Sequence, residues 1–208
     1  RRFPEVREVD IPATVSDTMT LSTMHGCPPE EIEQITLYLL QERKLHTSVK
    51  CNPTLLGPDR VRGIINDDLG FVDVPVPDEA FGHDLKYVDA VPMFHNLRRV
   101  AAAEGLQFGL KLSNTLEVEN WRTTFDAEGM MYLSGRALHP VTTNLAAMLS
   151  EEFRGDVMLS YAGGADSFYV TELLAAGKTI DALWLPASAG DHVIYVRRGN
   201  GMVASLTV

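Results

Sequence analysis

Residues 92–112 read PMFHNLRRVAAAEGLQFGLKL, and the order of elements in this stretch decides the fold. Met93, Leu97, Val100 and Ala101 recur at the spacing that gathers side chains on one helical face, so Pro92–Glu104 is expected to be a helix with one buried stripe. Gly105 follows where a helix closes through a left-handed residue, a conformation that glycine adopts without steric cost. The apolar strand Gln107–Leu112 comes directly after. A helix that feeds straight into a strand is half of a repeated βα unit, the pattern of a mainly parallel sheet.

The same alternation extends in both directions. Upstream, a strand near Met19–Met24 leads into a helix opened by Pro28-Pro29-Glu30-Glu31, where proline suits the first turn and carboxylates face the positive end of the helix dipole. Ile32, Ile35 and Leu39 mark its expected buried stripe. A strand at His46–Cys51, a helix near Pro58–Asp67 and a third apolar strand at Gly70–Val74 follow. Downstream, the polar segment Glu117–Met130 is expected to form a loop over the sheet. Next come a helix from Pro140 to Phe153 with Val141, Leu145, Met148 and Leu149 inward, a strand Asp156–Ala162 ending in Gly163-Gly164, a helix Ser167–Ala176 and a strand Thr179–Leu185.

These six candidate strands point to a (β/α)8 barrel of the TIM type, α/β in class, in which eight strands would be complete. Residues 18–190 are therefore expected to be the later part of a barrel that is incomplete at its N-terminus. Residues 1–17 read as a linker or the end of an upstream segment. Residues 191–208 alternate like a hairpin around Gly199-Asn200-Gly201, with no requirement that they join the barrel.

A net charge of -10 and the lack of Lys/Arg clusters argue against a nucleic-acid partner. No run approaches the roughly 20 apolar residues of a membrane span, so neither membrane nor nucleic acid is expected as a partner, and the cytoplasm is the expected location. With two cysteines, Cys27 and Cys51, the chain cannot assemble a four-cysteine cluster, and reduced thiols are expected over a disulfide.

Functional groups of a parallel barrel gather at the C-terminal ends of its strands. That rule selects Thr23–Cys27, Lys50-Cys51-Asn52, Lys111–Thr115, Ser134-Gly135, Gly163-Gly164 and Pro186-Ala187-Ser188. Gly163-Gly164, with a helix N-terminus following, would let the backbone approach a phosphate, although a tight strand-to-helix turn explains two glycines equally well. Lys50 and Lys111 could each neutralise an electron-rich ring, against the plainer reading of a solvated strand-end lysine. Asn114 and Thr115 add amide and hydroxyl groups suited to a heterocycle. Cys27, before a helix N-terminus, could be a stabilised thiolate or a small buried thiol. His25 and Cys27 could touch one metal, but spacing reveals no third ligand. His46, His83, His95 and His192 have no motif around them and read as structural or surface residues; His139 is left open.

The stretch Leu133-Ser134-Gly135-Arg136-Ala137-Leu138-His139-Pro140, followed by Gly163-Gly164 and Leu174-Ala175-Ala176-Gly177, resembles the dihydroorotate and dihydropyrimidine dehydrogenase barrels. A closer resemblance is to large flavoproteins provisionally labelled selenate reductase, whose N-terminal part is such a barrel. It is carried by Leu21–Pro29, Asn52–Gly57 and Lys111–Thr115. The resemblance implies an FMN-dependent oxidoreductase domain of the FMN-linked barrel type that passes electrons between a small heterocyclic substrate and redox centres in other domains or subunits. Any iron–sulfur cluster or FAD would belong to those other parts. It further implies ring contacts from Lys111 and Asn114, with Lys50, Asn52 and Thr115 nearby, and phosphate contacts from Ser134, Gly135, Gly163 and Gly164. The helix begins directly after Cys27-Pro28-Pro29, which leaves no room for the base-bearing loop of those dehydrogenases, so Cys27 is the one catalytic candidate. Two other readings stay open: a non-catalytic barrel scaffold for a larger redox complex, and an aldolase-like barrel using Lys50 or Lys111 as a Schiff-base amine.

Overall fold

The computed structural model describes residues 9–10, 13–23, 25–122 and 129–162, together with the backbone of the strands at 179–183, 193–197 and 203–207. Strand β1 (Thr18–Ser22) leads into helix α1 (Pro29–Gln41), and β2 (His46–Cys51) follows. A short 3-10 turn at Pro53–Leu56 and helix α2 (Pro58–Arg62) come next; α2 runs on into a wider π turn through Asp68. Helices α3 (Glu79–Gly82) and α4 (Tyr87–Ala103) precede β3 (Phe108–Leu112). The rest comprises β4 (Leu116–Glu119), β5 (Met130–Leu133), α5 (His139–Glu152), β6 (Met158–Ala162), β7 (Thr179–Leu183), β8 (Val193–Arg197) and β9 (Val203–Thr207).

The expected parallel sheet is present: β1, β2, β3 and β6 are parallel neighbours in that order. Helices α1, α4 and α5 cover one face, joining Ile32, Leu40, Phe94, Leu97, Leu145 and Leu149 to Val49, Leu110 and Leu112 in a single core. Side chains on β2 alternate, with Thr47, Val49 and Cys51 buried towards the helices and Ser48 and Lys50 on the other face. The tail hairpin does form, but it joins the sheet, with β9 beside β6 and the order continuing through β8 to β7. Its strands pair antiparallel, so β7, expected as a barrel strand, lies at the far edge against β8. Among the described residues the seven strands form an open sheet.

Several expectations are corrected. Gly70–Val74 is a turn, not a strand. Gly70 takes φ +72°, Val74 N–H donates to Phe71 O, and the Asn66 amide donates to the carbonyls of Phe71 and Val74. Its apolar side chains Phe71 and Val72 are exposed, so apolar composition alone was a poor guide. The segment after Leu116 is not simply a loop over the sheet, because β4 pairs antiparallel with β5 and closes a second small core of Val61, Ile64, Leu116, Val118, Leu138 and Val141. Helix α4 begins five residues earlier than expected, and Pro92 lies inside it. Proline has no N–H to give the preceding turn, which is tolerated here because Val88 and Pro92 both face solvent. In α1 the buried stripe is Ile32, Thr36 and Leu40, with Ile35 exposed; Thr36 is accommodated because its hydroxyl donates to Ile32 O at 2.7 Å.

Gly109 shows how tightly the uncovered face is packed. A Cβ there would come within 2.7 Å of Met158 Cε, 3.0 Å of the Met158 carbonyl oxygen and 3.1 Å of Ser48 Oγ. The methionine methyl can swing aside, but the carbonyl belongs to the paired strand β6. Gly109→Ala is expected to cost about 1–3 kcal/mol through overpacking. A urea midpoint unchanged from the parent chain would show that β3 and β6 part without penalty.

Candidate functional site

The parallel register sets two lysines side by side. Lys50 on β2 pairs with Lys111 on β3, flanked by Ser22 on β1 and Ser160 on β6, so one polar row crosses the sheet on the face away from the helices. The two lysines that competed for one role in the sequence are neighbours in space. Burial, and then the charge of Lys111, push the Lys50 ammonium below its ordinary range. Adjacent cations on a half-buried surface favour an anion placed over both.

Just above this row the strand ends are tied together. The Asn114 side-chain amide donates to Asn52 Oδ1 at 2.9 Å and to Thr23 O at 3.0 Å, and the Thr23 hydroxyl donates to Lys50 O at 2.9 Å. Asn114 N–H donates to Cys51 O, while Ser113 N–H donates to Ala162 O and so extends the network to the end of β6. Ser113 Oγ also lies 2.9 Å from Thr142 Oγ1, which anchors α5 to the same edge. Thr23, Asn52 and Ser113 are buried, whereas Asn114 and Thr115 are half-buried. Three strand ends therefore form one platform, with Lys50 and Lys111 below it.

Other expected site residues fall elsewhere. Ser134 and Gly135 follow β5 in the two-stranded antiparallel unit, not a strand of the main sheet; both are exposed, and Gly135 has φ +61°. Gly163, Gly164, the helix Ser167–Ala176, the turn at 186–188 and His192 lie outside the described residues. Cys27 and Cys51 are both free thiols. The thiolate stabilisation considered for Cys27 does not emerge: desolvation, and then Glu31, whose carboxylate lies 3.9 Å from the sulfur, raise its pKa. Complete burial pushes Cys51 up to about 12.

Beside the platform is a polar cluster that sequence reading left unassembled. His25 Nδ1 lies 3.0 and 3.2 Å from the two oxygens of Asp84, and the Thr54 hydroxyl donates to Asp84 Oδ2 at 2.7 Å. The hydrogen bond to Asp84 raises the His25 pKa against the opposing effect of burial. Burial would lift Asp84, but the bonds from His25 and Thr54 together hold it below its ordinary value. His83, expected to be structural or surface, lies at the end of α3 with Nε2 3.7 Å from Glu117 Oε2, and its ring meets that of His25 edge-on at 6.3 Å. Tyr132 stacks on His25 at 5.8 Å. Separations of tens of residues hide such a cluster from any local motif. The available signals were the His83-Asp84 pair and the alternation Leu116-Glu117-Val118-Glu119, which puts two carboxylates on one side of a strand. The other described histidines make structural contacts: Gln107 N–H donates to His46 Nδ1, His95 packs on Phe153, and His139 pairs with the Tyr161 hydroxyl.

Comparison with known proteins gives this geometry a context. Residues 2–182 match the family model described as "Oxidoreductase YgfK, N-terminal TIM-barrel domain". The chain is 46% identical over 167 residues to the provisionally named oxidoreductase YgfK of Escherichia coli K12, and equally to its counterpart in strain O157:H7. The matched region covers 80% of this chain but 16% of either relative. No solved structure matches. No helix among the described residues is long and apolar enough to cross a membrane. The chain belongs to the family of YgfK-type oxidoreductase N-terminal TIM-barrel domains.

Proposed function

We propose that this domain binds FMN over the lysine row and serves a cytoplasmic oxidoreductase that passes electrons between a small heterocyclic substrate and redox centres in other domains or subunits. The observation that carries this reading is the register of Lys50 with Lys111 beneath the Asn52–Asn114 platform. Two adjacent ammonium groups suit the negative charge of a reduced flavin ring. Amide groups at the strand ends suit the donor and acceptor edge of a heterocycle. FMN, when bound, would supply the electron-accepting centre. The chain's own part is to hold the ring and balance its charge: Lys111 and Lys50 from below, Asn114 and Asn52 at the edge, with Thr115 adjoining. Gly163 and Gly164 are proposed for the phosphate from their place in sequence directly after β6, and Ser134-Gly135 from the family resemblance. The relationship to flavoproteins labelled selenate reductase forms part of the same proposal.

The test is an FMN titration followed by flavin fluorescence, made on this chain and on a full-length YgfK-type relative. Saturable binding of one FMN per chain is expected in both. Absence of binding in both would overturn the proposal and favour a barrel that acts only as an assembly scaffold.

A further inference from the structure

We propose that His25, His83 and Glu117 form a binding site for one divalent transition-metal ion, of the zinc class, on the cleft beside β4. Each of the three offers a ligand atom, and these atoms lie within 4.8 Å of one another. Two imidazoles and one carboxylate are a donor set that zinc accepts. Tetrahedral zinc, with bonds of about 2.0–2.2 Å, needs ligand atoms roughly 3.3 Å apart, and His83 Nε2 already lies 3.7 Å from Glu117 Oε2. The three ligand atoms, which lie within 4.8 Å of one another, must close by up to about 1.5 Å to bind the ion. His83, with 43% of its side chain exposed at the end of the one-turn helix α3, is free to make that movement.

The support behind the ligands separates this cluster from an ordinary surface ion pair. Asp84, with 1% of its side chain exposed, engages Nδ1 of His25 and leaves Nε2 as the nitrogen available to a metal. A carboxylate fixing a histidine from behind is the recurrent outer support of metal sites. Asp84 is itself fixed by the Thr54 hydroxyl, and Tyr132 stacks on the His25 ring, so the ring is oriented from two sides before any ion arrives. Glu117 and Asp84 together carry the charge that neutralises a divalent cation. The ligands come from three separate parts of the fold: the β1–α1 connection, the end of α3, and β4.

His83 and Glu117 also line a cleft of about 510 Å³ with Glu79, Glu119, Trp121 and Met130. Three protein ligands leave a fourth position of zinc open, as in sites that bind water or a substrate oxygen. Neither the cluster nor its test involves the flavin platform.

The test is titration of the chain with zinc against a chromophoric chelator, paired with the visible spectrum of the cobalt(II) form. One equivalent of zinc and the intense bands of a low-coordinate cobalt site are expected. His83→Ala and Glu117→Gln should each weaken zinc by about 100-fold or more while leaving the circular dichroism spectrum unchanged. His95→Ala, which removes a ring packed on Phe153 and paired with Glu152, should bind zinc like the parent. Failure to take up one equivalent, or equal affinity in the parent, His83→Ala and Glu117→Gln, would reduce the cluster to an ion pair and overturn the site.

Discussion

Asp84→Ala is expected to lower the unfolding free energy by about 3 kcal/mol, among the largest effects of any single substitution near the platform. Both carboxylate oxygens are engaged, by His25 and by the Thr54 hydroxyl, at a position almost fully removed from solvent. Truncation strands the Thr54 hydroxyl in a buried setting and leaves the His25 ring without the group that orients it. It also opens a void between the first turn after β2 and the start of α4. Asp84→Asn keeps the volume and one acceptor oxygen, and should cost about half as much. Urea unfolding in the presence of a chelator, with the slope unchanged, measures both. A loss under about 1 kcal/mol for the alanine variant would show that His25 and Thr54 find water instead.

Much of the fold was legible because it rests on local periodicity. The helices now labelled α1, α4 and α5, and the strands β2, β3 and β6, stand close to where apolar spacing, Gly105 and the Pro28-Pro29 start put them. The exceptions share a physical cause. Gly70–Val74 looks apolar enough for a strand, but Asn66 and a left-handed Gly70 offer its carbonyls and turn a better local solution than a ladder. Leu116–Glu119 is short and half charged, and only its pairing with Met130–Leu133 makes it a strand. That pairing is a tertiary event, which a window of sequence does not contain.

The site divides the same way. Lys50, Asn52, Lys111 and Asn114 could be picked out because strand ends are readable. That the two lysines stand side by side could not be, because only register shows it. His83 and Glu117 were missed for a different reason: they come from short elements whose mutual position depends on the β4–β5 pairing and on Asp84, a buried carboxylate that nothing in its local sequence marks as buried.

Lys111→Met is expected to weaken FMN binding by about 10- to 100-fold, the loss of one charge-assisted contact of about 1.5–3 kcal/mol. Lys50→Met should weaken binding as well but raise the thermal stability of the unliganded chain, because it removes a half-buried charge held next to a like charge. The sign follows from linkage. The folded-state pKa of Lys50 lies below its ordinary 10.5, so folding disfavours its charged form. That penalty is fully present below the lowered folded value and fades as pH rises towards and past 10.5. The stability gain of Lys50→Met should accordingly be seen at neutral pH and shrink in alkaline buffer. An anionic ligand relieves the same repulsion, so FMN should raise the melting temperature of the parent more than that of Lys50→Met at equal saturation. Thermal melts of both chains, with and without FMN, at neutral and alkaline pH read all of these effects. A neutral or destabilising Lys50→Met would mean that the ammonium is satisfied where it stands, and that the lysine row is a solvated strand edge instead of a site poised for negative charge.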